Sequence, residues 1–385
     1  DLGFRRLIGH VASKVSGCLY CQAHTLLGAH NFGISDAKLA DVWTYASSPH
    51  YSVRERLALL APQLPAGMTV EPFYDRGRLI ERAVGNVTRA LAEAAVLLRR
   101  AADLLDARLP EYCGLLVKEA HKTLGDCVAE VREAVDFCRY YAQQSRKLFG
   151  QPEKLPGPTG ESNELQLHGR GVFVCISPWN FPLAIFLGQI AAALAAGNTV
   201  IAKPAEQTTL TAYLAVQILH DAGVPAEVLQ FLPGDGATVG AALTRDPRVT
   251  GVVFTGSTET AWAINRALAA RNAPLATLIA ETGGQNALIA DSSALPEQLV
   301  NDAVMAAFDS AGQRCSAARI LFVQSDIADR VLELLAGKMD ELTVGDPGLL
   351  STDVGPVIDE DAKAILVAHA ERMDKEAKLI KAVAL

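Results

Sequence analysis

The sequence has 385 residues, of which half are hydrophobic and few are aromatic, and its formal net charge is −8 at pH 7. This length suffices for two or three domains around a large core. The acidic balance, with no cluster of Lys and Arg, argues against a nucleic-acid partner. The seven cysteines are odd in number and form no disulfide framework, so a cytoplasmic location is expected. The longest apolar run, residues 181–196, is interrupted by Pro182 and Gly188 and is too short to span a membrane.

Residues 4–30 have a helical pattern with two cysteines and a histidine at helical spacing. Cys18 and Cys21 are one turn apart and His24 follows after a further turn, so the three side chains share one face. This arrangement suits a dithiol redox couple in which the histidine assists thiolate formation. A zinc site with His30 as fourth ligand and a packed helix with incidental cysteines are the alternatives. We assign no metal to this segment.

Together with residues 33–35 and 51–56, this segment resembles the carboxymuconolactone decarboxylase/alkylhydroperoxidase AhpD-like family. The resemblance covers residues 4–62 and implies a small all-α segment. In peroxidase members a glutamate upstream of the first cysteine completes a proton relay, whereas Arg6 occupies that neighbourhood here. The prolines and glycines that follow predict a domain end at residue 62 and a linker over residues 63–87.

Helices are predicted between residues 78 and 149, the second of them from Ala129 to Leu148. Glu130, Glu133 and Asp136 fall on one face of this second helix. Because charged helix faces usually contact water, we expect this face to be solvated rather than to bind a substrate.

From residue 171 onward, strand-like and helix-like segments alternate. Strands are predicted at residues 171–177, 199–202, 228–232 and 251–254, with a helix after each. This alternation implies a doubly wound parallel sheet that binds ligands at the carboxyl ends of its strands. The glycines of residues 234–240 depart by one position from the usual dinucleotide fingerprint. Gly256 and Ser257, between a strand and a helix, are better placed to receive a phosphate on helix N–H groups.

Five motifs carry a specific resemblance to aldehyde dehydrogenases. They are Ser177–Pro182, Lys203–Glu206, Phe254–Ser257, Glu281–Gly284 and Gly312–Cys315, and they occur here in the order seen in that family. The intervals match as well, with 23 positions from Asn180 to Lys203 and 34 from Glu281 to Cys315. The chain resembles the family over residues 88–371, and most closely the glutamate-semialdehyde (pyrroline-5-carboxylate) dehydrogenase module of bifunctional proline-catabolism enzymes. This resemblance implies a helical lead-in and NAD-binding domain over residues 88–280 and a partial catalytic domain over residues 281–385.

The resemblance also implies a role for each motif residue in the NAD-dependent oxidation of L-glutamate γ-semialdehyde, a small aldehyde, to L-glutamate. Cys315 would attack the aldehyde carbon, Asn180 would hold the oxyanion, and Glu281 would activate water to hydrolyse the thioester. Lys203 completes the catalytic set and would bind ribose hydroxyls with Glu206, whose carboxylate favours NAD over NADP. The expected cofactor contacts are Ile176, Ser177, Pro178, Trp179, Lys203, Ala205, Glu206, Gly236, Gly240, Phe254, Thr255, Gly256, Ser257, Thr260, Glu281, Thr282 and Gly283.

The family normally continues past residue 371 with a substrate-anchoring loop and an oligomerisation strand, and neither is recognised before Leu385. We therefore expect a C-terminally truncated chain whose complete parent enzyme is a homo-oligomer. The other cysteines of this region are predicted to be structural; they are Cys113, Cys127, Cys138 and Cys175. The alternative hypothesis for the whole chain is a Cys18/Cys21 thiol redox module joined to an inactive dehydrogenase fragment.

Overall fold

The computed structural model describes residues 5–6, 8, 29–31, 34–43, 48–52, 55, 59, 93–157 and 163–383. The chain divides into two compact units, Asp1–Glu81 and Arg82–Leu385. The predicted linker over residues 63–87 lies outside the described residues, so the predicted limits at residues 62 and 88 stay predictions. Cys18, Cys21 and His24 also lie outside them, and the AhpD-like resemblance stays a prediction for the same reason.

In the first unit, a short helix lies beside a small apolar cluster. Helix α1 (Asp36–Ala40) begins after Ser35, whose side chain accepts a hydrogen bond from the backbone N–H of Lys38. The Lys38 ammonium donates a hydrogen bond to Glu55, which lowers the pKa of that carboxyl to about 2. Among the described residues of this unit, the buried apolar ones are Ala29, Ile34, Val42, Tyr51 and Leu59.

The described part of the second unit begins with three consecutive helical stretches. Residues 93–107 are helical, and α2 (Leu109–Ala120) and α3 (Leu124–Phe149) follow. Thr123 caps α3 by accepting a hydrogen bond from the Asp126 N–H, so this helix begins before the predicted start at Ala129. The expectation of a solvated acidic face on α3 is wrong at Glu130, which is only 1% exposed. The buried Lys122 ammonium, which forms an ion pair with Glu130, accounts for this burial.

A five-stranded parallel sheet forms the centre of this unit, which confirms the predicted doubly wound α/β fold. Its strands and intervening helices are β3 (Val172–Ile176), α4 (Ala184–Ala195), β4 (Thr199–Lys203), α5 (Thr209–Asp221), β5 (Leu229–Phe231), α6 (Ala241–Arg245), β6 (Val249–Gly256), α7 (Thr258–Ala269) and β7 (Thr277–Thr282). A short antiparallel pair, β1 (Glu153–Leu155) with β2 (Asn163–Leu165), precedes the sheet.

The order of the strands places the ligand-binding edge. The strands lie in the order β5–β4–β3–β6–β7. The chain first adds β4 and β5 on one side of β3, and then adds β6 and β7 on the other side. The direction of winding therefore reverses between β3 and β6, and parallel sheets of this kind bind ligands beyond the carboxyl ends of those two strands. Ile176 at the end of β3 is in register with Phe254 near the end of β6.

Alternating residues of the central strands pack into two different apolar clusters. Phe173 and Cys175 lie in the large core shared with α3, α4 and α5, whereas Val174 packs with Ile264 of α7. Gly251 of β6 pairs with Phe173 across the strands, and a β-carbon on Gly251 would lie 2.3 Å from Phe173 Cζ. A glycine is needed there because the aromatic ring fills the space above it.

A second, smaller layer follows the sheet. It comprises β8 (Asn286–Ala290), α8 (Pro296–Phe308), a 3₁₀ turn (Asp309–Gly312), β9 (Ala318–Val323), α9 (Ser325–Asp340) and α10 (Glu360–Glu376). Strands β8 and β9 are parallel, and Ala290, Leu299, Val300 and Val331 form the buried cluster beneath them. Within the described ranges, no helix is long and apolar enough to cross a membrane.

Candidate active site

Cys315 lies on the segment between the 3₁₀ turn and β9. Its side chain is exposed, whereas the four other cysteines of the second unit are buried. Burial raises the pKa of the Cys127 and Cys138 thiols to about 12, so those thiols stay protonated at neutral pH. Cys315 is therefore the accessible thiol among the described cysteines, and its catalytic role stays a prediction.

The chain reaches Cys315 through three successive residues in the left-handed region. Ser310 has a φ of 53°, Ala311 of 55° and Gly312 of 69°. For the two non-glycine residues this conformation costs roughly 1–2 kcal/mol each. The Gln313 N–H donates to Ser310 O at 3.0 Å, and Arg319 Nη2 donates to Gly312 O at 2.8 Å. These bonds hold the tight bend that presents the thiol.

Asn180 is hydrogen-bonded to the backbone of this bend. It lies in the loop between β3 and α4, beyond the carboxyl end of a central strand. Its Nδ2 donates a hydrogen bond to Gln313 O at 2.7 Å. The structure thus brings the predicted oxyanion donor to the backbone two positions before Cys315, although the two residues are far apart in sequence.

A buried ion pair contacts the loop that carries Asn180 and the start of α4. Lys122 Nζ lies 2.5 Å from Glu130 Oε2, with the two side chains 4% and 0% exposed. Glu130 Oε1 accepts hydrogen bonds from Leu183 N at 2.9 Å and Ala184 N at 3.3 Å, at the start of α4. The Lys122 ammonium also lies 3.9 Å from the centre of the Phe181 ring. Sequence reasoning missed this pair, since a helix-face pattern does not show which cation will cover it.

Asn286 was also missed, and it holds the segment that carries Cys315. Its Nδ2 donates to Cys315 O at 2.7 Å and to Ala317 O at 3.0 Å. It stands at the first position of β8, two residues after the Glu281–Gly284 motif. That proximity is the signal that could have identified it.

Five of the predicted cofactor residues line one cleft at the carboxyl edge of the sheet. The cleft has a volume of about 170 Å³, and Ile176, Lys203, Gly236, Gly240 and Thr260 contribute to it. Apolar residues of α7 and the α6 residues Ala241, Thr244 and Arg245 complete its lining. A β-carbon on Gly240 would lie 3.8 Å from Lys203 Cε, so a larger side chain there would narrow the cleft.

Lys203 is buried at the base of this cleft. Its Nζ donates to Pro204 O at 3.1 Å and lies 3.6 Å from Glu206 Oε1. Glu206 begins a short 3₁₀ turn after Ala205, and its side chain is half exposed. An ammonium and a carboxylate are therefore available side by side for ligand hydroxyl groups.

The remaining predicted cofactor residues follow the ends of β3 and β6. Ser177 is buried, and its N–H donates to Lys203 O at 3.2 Å. Ser257 caps α7 by accepting a hydrogen bond from Thr260 N at 3.1 Å. A β-carbon on Gly256 would lie 2.6 Å from the Phe254 ring. Thr255 Oγ1 accepts a hydrogen bond from Gln189, and Pro178 and Trp179 are half-buried in the Asn180 loop.

Glu281 lies at the carboxyl end of the edge strand β7. It is exposed and in register with Thr255 of β6, and Thr282 is in register with Gly256. Gly283 follows, with open space around its α-carbon. The strand order therefore places these residues at the same edge of the sheet as the cleft.

The comparisons with known proteins identify the family of the chain. The profile of the aldehyde dehydrogenase family matches residues 87–382, which is most of the chain. The chain therefore belongs to the aldehyde dehydrogenase family, as its motifs indicate.

Among its relatives, the bifunctional protein PutA of Klebsiella aerogenes is 54% identical over 291 residues, which are 75% of this chain and 21% of that protein. The 1-pyrroline-5-carboxylate dehydrogenase of Geobacillus sp. (strain WCH70) is 40% identical over 299 residues, which are 76% of this chain and 57% of that protein. A crystal structure of a Bradyrhizobium japonicum proline utilization A (PutA) mutant superposes with a TM-score of 0.74 at 58% identity, covering 77% of this chain and 31% of that one. The chain thus spans about a fifth of the PutA relative from Klebsiella aerogenes.

Proposed function

We propose that this chain carries the site for the NAD-dependent oxidation of L-glutamate γ-semialdehyde to L-glutamate in proline catabolism. The observation that carries the proposal is the hydrogen bond from Asn180 Nδ2 to Gln313 O, two positions before Cys315, whose thiol is exposed. The names of the relatives, bifunctional protein PutA and 1-pyrroline-5-carboxylate dehydrogenase, support the choice of aldehyde.

In the proposed reaction, the Cys315 thiolate attacks the aldehyde carbon and forms a thiohemiacetal oxyanion. A side-chain amide carries two N–H groups, so the bond to Gln313 O orients Asn180 while its second N–H remains for the oxyanion. The backbone N–H of Cys315 supplies the other donor. Such a donor is worth about 3 kcal/mol in the transition state, and an amide gives it without titrating.

The residues that line the cleft are of the types that bind a dinucleotide. Alanines and isoleucines line it together with Thr244, Arg245 and the buried Lys203 ammonium, which lies beside the half-exposed Glu206 carboxylate, and glycines keep its wall open. Lys203 and Glu206 would hold ribose hydroxyls, and the start of α7 at Ser257 would receive the pyrophosphate. Bound NAD would accept the hydride that leaves as the thioester forms. Glu281 would then take a proton from the water that hydrolyses the thioester.

We propose NAD rather than NADP because the Glu206 carboxylate would repel a 2′-phosphate. Comparing kcat/KM for the two cofactors in the protein and in Glu206→Gln tests this. The unsubstituted protein is expected to have the higher kcat/KM with NAD, and Glu206→Gln should lessen that preference. An unchanged ratio would contradict the assignment of Glu206.

The decisive test of the reaction is NADH formation with glutamate γ-semialdehyde. Cys315→Ala is expected to abolish it, whereas Cys113→Ala, which removes a buried thiol, should retain it. Turnover by Cys315→Ala at the rate of the unsubstituted protein would refute the mechanism.

The cytoplasmic location, the homo-oligomeric state of the complete enzyme and the thiol redox alternative stay predictions from the sequence.

A further inference from the structure

Two carboxylates on the first turns of α3 each bind the backbone of a different active-site loop. Asp126 and Glu130 are four positions apart and therefore lie on the same face of the helix. Asp126 Oδ2 accepts a hydrogen bond from Ser310 N at 3.0 Å, in the turn before Cys315. Glu130 Oε1 accepts from Leu183 N at 2.9 Å, in the loop that carries Asn180. One rigid helix thus contacts both loops.

The Glu130 contact fixes the Asn180 loop because the start of α4 has no cap of its own. Leu183 occupies the N-cap position, and its side chain cannot accept a hydrogen bond from the first turn. The Glu130 carboxylate replaces this missing cap from a neighbouring helix. Its partner Lys122 lies against the Phe181 ring, so the ion pair contacts the loop on both its backbone and its aromatic side chain.

The Asp126 contact fixes the turn that presents the nucleophile. Ser310 is a non-glycine residue in the left-handed region, which such residues hold only when surrounding contacts impose it. Asp126 Oδ2 also accepts a hydrogen bond from Thr123 Oγ1 at 3.1 Å, which limits its side-chain freedom. Ser310 O in turn accepts hydrogen bonds from both the backbone and the side-chain amide of Gln313. The position of Gln313 O, and with it the contact to Asn180, therefore depends on the turn that Asp126 holds.

We propose that Asp126 and Glu130 are positioning residues that set the spacing between the Asn180 amide and the Cys315 thiol. Neither is required to touch the substrate. The inference rests on the proposed function, since the spacing matters only if Asn180 and Cys315 act on the same oxyanion. Displacing a reacting group by about 1 Å can lower a rate about 100-fold, so small loop movements should be visible in kcat.

A purely structural role makes a different prediction from a positioning role. If these contacts only stabilise the fold, their loss lowers the melting temperature and leaves kcat per folded molecule unchanged. If they set the spacing, kcat falls in protein that remains folded while the KM for NAD is retained, because the cofactor cleft lies at other residues.

The test compares Asp126→Ala and Asp126→Asn in the protein, with Asp136→Asn as a matched control on an exposed position of the same helix. Asparagine keeps an oxygen that accepts from Ser310 N, and alanine removes it. We expect Asp126→Ala to lower kcat about 10- to 100-fold, with Asp126→Asn restoring most of the rate and the control unchanged. A kcat for Asp126→Ala within twofold of the parent value would overturn the proposal, as would a loss that merely matches the unfolded fraction.

Glu130 is tested by the double variant Lys122→Met/Glu130→Gln, which keeps an acceptor for Leu183 N without leaving a buried charge unpaired. It is expected to retain kcat within a few-fold of the parent, whereas Lys122→Met/Glu130→Leu, which lacks the acceptor, should lose about tenfold or more. Equal rates for the two double variants would overturn the role of Glu130.

Amide hydrogen exchange tests the Asp126 contact without relying on the proposed activity. In Asp126→Ala, the amides of residues 310–313 should exchange faster than in the parent, and those of α7 should not. If the parent protein oxidises no aldehyde, the proposed function fails, and faster exchange at residues 310–313 still supports the holding contact. Unchanged exchange there would overturn it whatever the activity.

Discussion

Removing Lys122 should be among the most destabilising single changes in the second unit. In Lys122→Met the Glu130 carboxylate keeps its two backbone donors on Oε1, but Oε2 loses the ammonium 2.5 Å away in a fully buried position. Breaking a buried pair by deleting one partner costs about 3–5 kcal/mol. The contact of the ammonium with the Phe181 ring, 3.9 Å from its centre, is lost as well. We therefore expect a loss of about 4 kcal/mol in the free energy of unfolding.

Scanning calorimetry measures this loss directly. At about 2 °C per kcal/mol for a unit of this size, the melting temperature should fall by about 8 °C. Lys122→Met/Glu130→Gln should recover most of it, because neither partner is then charged and Gln still accepts from Leu183 N. The matched control is Lys363→Met, which breaks an exposed pair with Glu360 and should change the free energy of unfolding by less than about 1 kcal/mol.

Two results would refute this reasoning. The first is a Lys122→Met variant within about 1 kcal/mol of the parent, which would mean that the carboxylate finds water or another cation. The second is a double variant whose loss equals the sum of the losses of Lys122→Met and Glu130→Gln, because additivity would mean that the two side chains do not interact.

Three further predictions concern the oxyanion donor, the central sheet and the thiols. Asn180→Ala should lower kcat about 100- to 1000-fold with an unchanged KM for NAD, and steady-state kinetics that show less than a tenfold loss would contradict its role as a donor. Gly251→Ala should destabilise the second unit by about 1–3 kcal/mol in urea unfolding, because the new β-carbon would lie 2.3 Å from the Phe173 ring. Adding Phe173→Leu to the same chain should relieve part of this cost. Iodoacetamide at pH 8 should modify the exposed Cys315 well before Cys127, whose burial raises its pKa to about 12, and peptide mass spectrometry that shows equal rates would contradict the burial of Cys127.

Much of the fold could be predicted because the relevant signals are local. Alternating strand and helix patterns predict a parallel sheet, and the chemistry then collects where the strands end. Asn180 follows β3, Lys203 ends β4 and Glu281 lies near the end of β7, so these three motifs lie at the carboxyl edge that the fold makes available. The Gly312–Cys315 motif instead precedes β9. The intervals between motifs carried the identification of the family, which no single residue could have done.

The supporting residues could not be predicted because their roles depend on partners distant in sequence. The helical pattern of α3 placed Glu130 on an apparently solvated face, yet the structure covers it with Lys122 and the start of α4. Nor does the sequence near Ser310 indicate a left-handed turn, since serine and alanine rarely adopt one. Its stabilising contact comes from Asp126, a residue of a helix that precedes the sheet.

These long-range contacts change which part of the chain belongs to the active site. The five motifs all lie after residue 176, and none of them contains an acceptor for Leu183 N or Ser310 N. Both acceptors come from α3, which the sequence alone assigns to a lead-in without chemical function. The proposed oxyanion donor and the proposed nucleophile belong to different loops, and besides the direct bond from Asn180 Nδ2 to Gln313 O, a body that contacts both loops holds them in place. Helix α3 is that body, so a chain that keeps every motif but lacks residues 109–149 would retain the reactive groups and lose the two acceptors that hold their loops.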